Sequence, residues 1–153
     1  MNHYLTDIAD DLRRLDIVIN QLTQDRRAVD HVALEDLATA LAGTVLHLQH
    51  LYNGLEKIAE RSLAVRGIKL VADGSYHTRL LREYYANYPC DKQEVDFLED
   101  LKSFRHLFRA TYGTSLDETR IVVKTEQAIA IWPRIKERIT RQMNLEQSPP
   151  STA

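Results

Sequence analysis

Apolar residues recur near the start of the chain at alternating steps of four and three: Ile8, Leu12, Leu15, Ile19 and Leu22. That spacing predicts an amphipathic helix. Asp7, Asp10 and Asp11 fall in its first turns and Arg26 and Arg27 at its end, both favourable to the helix dipole. Asp30 is placed to cap the next helix. The second stripe is longer: Leu34, Leu37, Leu41, Val45, Leu48, Leu51, Leu55 and Ile58. No proline interrupts Val32 to Arg66, so one helix is predicted there, with Gly43 and Gly54 costing only about 1 kcal/mol each. A helix of that length in a small domain suits the central member of an antiparallel bundle.

Gly67 and Asp73-Gly74 then punctuate the chain, and a short helix is predicted from Tyr76 to about Tyr85. Tyr88-Pro89-Cys90-Asp91 breaks it. A third long helix is expected from about Gln93 to Tyr112, stopped by Gly113. Ser115 with Glu118 has the spacing of a capping box opening the last helix. The stripe of that helix is Ile121, Thr125, Ala128, Trp132, Ile135, Ile139 and Met143, and Pro133 inside it should kink or split it. Residues 147–153 read as a disordered polar tail after one domain spanning 1–146. No stretch alternates with period two, so no sheet is expected. The fold class is all-α: an antiparallel four-helix up-down bundle with a short inserted helix.

Composition changes this picture little. At 153 residues the chain fits one domain, and a formal charge of −2 argues against a generally basic nucleic-acid binder while leaving room for a local basic cleft. The single cysteine, Cys90, cannot form an intrachain disulfide and fits a reducing compartment. No run approaches the roughly 18 apolar residues of a membrane span, and the first residues lack a signal-peptide core. A cytoplasmic protein with no membrane contact is expected. With no phosphate-binding glycine loop, nucleophile elbow or paired zinc motif, no cofactor is implied.

Candidate chemistry concentrates in Phe104-Arg105-His106-Leu107-Phe108-Arg109-Ala110-Thr111-Tyr112-Gly113. On an ideal helix Arg109 lies about 40° and Tyr112 about 20° from the direction of Arg105, so the three share a face. His106 is rotated roughly 100° away. Two guanidiniums on adjacent turns suit an anion or phosphate between them. The plainer reading pairs them with carboxylates such as Glu56 or Glu60.

Three other groupings carry weaker signals. His47 and His50 have a spacing that can hold a metal, yet position 54 is Gly54 and Glu56 points off that face, so ordinary histidines are favoured. Tyr76-His77 with Arg79 and Arg82 could border a ligand cleft, or could pair with Asp73 or Glu83 at a helix end. Tyr84, Tyr85 and Tyr88 could stack on bases, although core edge or subunit contact is the preferred reading. Cys90 has no local histidine to activate it.

The segment Phe104 to Arg109 followed by Thr111-Tyr112-Gly113 resembles the motif region of HepT-like proteins, within the HEPN superfamily of helical-bundle ribonucleases. Leu51-Tyr52-Asn53-Gly54-Leu55-Glu56-Lys57-Ile58 is similar to the family's long-helix signature, and Tyr76-His77-Thr78-Arg79-Leu80-Leu81 to its short-helix one. The resemblance spans roughly residues 35 to 140. It implies a toxin–antitoxin homodimer in which an Arg, four residues, a His, one residue and a Tyr line a cleft that cleaves RNA without metal.

Arg105 matches the motif arginine and Tyr112 the tyrosine, but Ala110 stands where the histidine should be. A methyl group can neither accept nor donate the proton, a transfer typically worth roughly 10²–10⁴-fold. On this resemblance the catalytic set would be Arg105, His106, Arg109 and Tyr112, impaired at position 110. Tyr112 would also be the residue to which a partner nucleotidyltransferase adds AMP. The alternative keeps the fold and loses the chemistry, leaving a binding or scaffold module that docks such a nucleotidyltransferase. A helical metal protein built on His47 and His50 is the third and least favoured reading.

Overall fold

The first apolar stripe forms one wall of the core. In the computed structural model, which describes residues 2–110 and 116–148 and leaves out the side chains of 105–110, Ile8, Leu12, Leu15, Ile19 and Leu22 are all buried. They lie on α1 (His3–Val29). A short 3-10 turn (Leu34–Asp36) leads into α2 (Leu37–Val65), followed by α3 (Tyr76–Asn87), α4 (Lys92–Ala110) and α5 (Glu118–Gln147). The chain is all-helical, with five α-helices and no strand among the described residues.

Helix ends depart from the sequence reading in several places. The Asn2 side chain caps α1 by accepting from the Tyr4 N–H at 3.0 Å, and no acidic residue lies in the first turn. Asp30 sits at the C-cap of α1 and does not open α2. Extended Ala33 and the 3-10 turn take Leu34 out of helical register, leaving it 86% exposed instead of in the core stripe. At the end of α2, Ile68 N donates to Leu63 O and Gly67 N to Ala64 O, each at 2.9 Å, with Gly67 at φ 76°. This is the Schellman arrangement, which needs a left-handed residue where glycine stands.

The cap of α5 is Asp117, which accepts from Arg120 N at 3.2 Å; the expected cap, Ser115, lies outside the described residues, as does Gly113. Pro133 does not split α5, which continues from Glu118 to Gln147. Buried Trp132 and Ile135 flank it and hold both halves against one core. α3 runs two residues beyond the expected end, to Asn87.

Cross-helix contacts give the pairwise directions. Asp25 bonds His47 at 2.5 Å and Asp11 pairs with Arg61, so α1 and α2 run oppositely. Asp16 accepts from Trp132 Nε1 at 2.9 Å and Lys136 Nζ at 2.6 Å, and Arg26 reaches Glu126 at 2.8 Å, so α1 and α5 also run oppositely. Lys124 reaches Asp100 and Arg138 reaches Glu94, which sets α4 against α5 in the same sense.

The main core takes side chains from α1, α2, α4 and α5; Ala59 and Leu63 of α2 and Leu80 and Tyr84 of α3, with Tyr88 just beyond it, form a smaller one. A buried polar network joins four helices. Arg138 Nε bonds both Glu94 oxygens at 2.8 Å, its other nitrogens reach Gln142 at 2.9 Å and Tyr84 Oη at 2.8 Å, and Gln142 Nε2 donates to Ser62 Oγ at 2.8 Å. No buried side-chain polar atom among the described residues lacks a partner, as burial of such groups requires.

Candidate functional site

Buried Leu101 and Phe104 fix the rotation of α4 about its axis. The helix continues through Ala110, so Arg105, His106, Arg109 and Ala110 occupy its last two turns. The side chains of those residues, and Tyr112 altogether, lie outside the described residues. The backbone of Arg105, His106, Arg109 and Ala110 thus lies at the C-terminal end of α4.

Glu56 and Glu60, the carboxylates named as partners for the α4 arginines, both receive hydrogen bonds from α3. Glu56 is buried on α2 and accepts from Tyr52 Oη, one turn earlier, at 2.9 Å, and from His77 Nδ1 at 2.5 Å. Glu60, one turn further along α2, accepts from Tyr76 Oη at 2.8 Å. Burial, with the Glu60 carboxylate next, pushes the Tyr76 hydroxyl up to about 12, so it stays a donor at neutral pH. A cavity of about 280 Å³ opens beside Tyr76 and Glu60, lined also by Tyr4, Arg61 and Lys69.

The head of α3 is itself anchored. Asp73 accepts from the Ser75 N–H and hydroxyl at 2.9 Å, and Arg79 pairs with Asp73 at 3.0 Å while donating to Val71 O at 2.6 Å. Arg79 therefore follows the helix-end reading. Arg82 is exposed.

The remaining sequence candidates resolve on the structural side. His47 Nδ1 bonds Asp25, with the His50 ring centroid 6.3 Å from that of His47. Among the described residues no group of three or more His, Cys, Asp or Glu side chains is placed to hold a metal. Tyr84 and Tyr88 are buried, with Tyr84 bonded to Gln142 and Arg138 and Tyr88 to Ser62 O, so their faces belong to the core. Tyr85 is half-buried and donates to Glu99 at 3.2 Å. Cys90 donates to Tyr88 O at 3.3 Å, and burial raises its thiol to about 12, which removes the thiolate a nucleophile needs.

Nothing in the spacing of Glu56 and His77 along the chain joins the two. The available signal was local: Tyr52 and Glu56 stand four apart on one face of α2, and a buried tyrosine hydroxyl seeks an acceptor. The pairing with His77 depends on how α3 packs on α2, which spacing along the chain does not give.

Among the described residues no helix is long and apolar enough to cross a membrane. No curated protein and no solved structure matches the chain. The family model described as HepT-like protein matches residues 43–145 of the 153, a span that covers α3, α4, most of α2 and most of α5. The chain belongs to the HepT-like family.

Proposed function

We propose that this is the HepT-like member of a toxin–antitoxin-type pair, whose RNA-directed cleft lies at the end of α4 and is impaired by Ala110. What carries the reading is family membership together with Arg105 and Tyr112 at the motif spacing, with alanine at the position of the motif histidine. Arg105 and Arg109 hold the scissile phosphate and its developing charge, a role suited to the forked guanidinium. His106 is the acid or base nearest along the chain. No metal takes part. The reading includes an up-down-up-down order of α1, α2, α4 and α5 with α3 as the insert, a single domain ending with α5, a homodimer and a cytosolic setting.

A second reading is favoured by Ala110 itself. With the proton-transfer group absent, the surviving role is recognition by a partner nucleotidyltransferase, with Tyr112 as the acceptor of AMP. Co-expression with such a partner, followed by mass measurement of the purified chain, tests it: AMP on Tyr112 supports docking, and an unmodified chain in a stable complex sinks the acceptor role.

The test of the first reading is cleavage of single-stranded RNA by the purified chain in EDTA. Ala110→His is expected to cleave about 10²–10⁴-fold faster than the unaltered chain, the usual worth of a positioned acid–base group. Adding Arg105→Ala should abolish that gain. A folded Ala110→His protein that, like its parent, leaves the RNA intact would remove the nuclease reading.

A further inference from the structure

The cleft as read above lacks a backed acid–base group, and the molecule holds one nearby in sequence order that the motif does not include. Glu56 is 9% exposed and accepts from His77 Nδ1 at 2.5 Å and Tyr52 Oη at 2.9 Å. A carboxylate has no proton to offer, so Nδ1 carries the hydrogen and Nε2 is the basic nitrogen. The His77 side chain is 47% exposed, and Nε2 has no hydrogen-bond partner among the described residues. An imidazole held by a buried carboxylate through one nitrogen, with the other free at the surface, is the arrangement that orients a proton-transfer histidine and stabilises its cation.

Its place in the fold suits the end of α4. Only four residues, 88 to 91, join α3 to α4, and Tyr85 Oη donates to Glu99 Oε1 at 3.2 Å across that turn. α2, which carries Glu56, packs against both α3 and α4, and so joins the head of α3 to the helix whose last turns carry Arg105 and Arg109. Tyr52, which also donates to Glu56, shares one core cluster with Phe104.

We propose that His77, positioned by Glu56, is the acid–base group for RNA cleavage in this chain, in place of the histidine that position 110 lacks. The proposal rests on the RNA-cleaving reading above. His77 Nε2 takes the proton of a ribose 2′-hydroxyl; the 2′-oxygen bonds to the adjacent phosphorus; the bond from phosphorus to the 5′-oxygen breaks. The imidazolium returns the proton to that departing oxygen. The products are a 2′,3′-cyclic phosphate and a 5′-hydroxyl, and no water, metal or oxidant is consumed. His77 is the catalytic residue, and Glu56 a positioning residue acting through it.

The experiment follows cleavage of a single-stranded RNA in EDTA by the full chain, His77→Ala, Glu56→Gln and Ala110→His. Folding is checked by helical circular dichroism. The unaltered chain is expected to cleave slowly, leaving cyclic phosphate ends. His77→Ala should lose about 10²-fold or more of that rate, and added imidazole should restore part of it. Glu56→Gln should lower kcat by about 10-fold with KM held, a fraction of the full acid–base contribution. A folded His77→Ala protein that cleaves at the parental rate, or a loss that imidazole does not rescue, overturns the assignment. If only Ala110→His cleaves, His77 is not the base and the nuclease reading stands without it. If no version cleaves, both fall.

Discussion

Gly54 of α2 lies directly against Leu15 of α1: a Cβ added at Gly54 would come within 2.4 Å of Leu15 Cδ2. Leu15 is 2% exposed, so its side chain has little room to retreat. The glycine is what lets α1 and α2 approach at this crossing. Gly54→Ala gains about 1 kcal/mol of helix propensity but overpacks a filled core, which typically costs about 1–3 kcal/mol. A net loss of stability is expected in chemical denaturation. The same substitution at Gly43, where an added Cβ meets nothing within 4 Å, should stabilise the chain.

The buried pair of Arg138 and Glu94 makes a sharper case. Their side chains are 15% and 6% exposed, and the guanidinium also serves Gln142 and Tyr84. Arg138→Ala leaves a buried carboxylate and a buried tyrosine hydroxyl without their donor, and is expected to cost about 3–5 kcal/mol. Joint replacement by Arg138→Met and Glu94→Leu should recover much of that loss. Denaturant midpoints of the single and double variants decide it; equal losses in both would point away from the charge pair.

Asp16 links α1 to α5 and gives a pH prediction. Burial raises its pKa, but hydrogen bonds from Lys136 and Trp132 outweigh that and leave it below the ordinary 3.8. A depressed folded value means the stabilisation is complete above the unfolded pKa and fades as pH falls through the folded one. The stability difference between the unaltered chain and Asp16→Asn should therefore be constant at neutral pH and shrink below about 4. A difference that grew on acidification would contradict the assignment.

Cys90 should be inert. With burial holding the thiol near 12, about one molecule in 10⁴ is thiolate at pH 8. Alkylation by iodoacetamide should be slow in the native protein and fast in denaturant. Rapid native labelling would show a thiol freer than its hydrogen bond to Tyr88 O implies.

What the sequence made legible was whatever repeats along the chain. The stripes on α1 and α5 are buried as their spacing requires, from Ile8 to Leu22 and from Ile121 to Met143. Helix starts were less legible, because caps depend on one or two dihedrals: Asp30 ends α1 instead of opening α2, and Leu34 falls in a 3-10 turn. Pro133 sits inside one helix because tertiary burial on both sides offsets a lost backbone bond. The Glu56–His77 pair was not legible at all, since it joins residues 21 apart on helices whose packing sets their facing sides.

The measurement that bears most directly on function is the rate at which purified Ala110→His cleaves single-stranded RNA in EDTA, beside the unaltered chain and the Ala110→His, Arg105→Ala double variant. A gain of about 10²–10⁴-fold, lost again with Arg105, is the expected result. Ala110→His protein that is folded and leaves RNA intact would contradict the placement of a nuclease cleft at the end of α4.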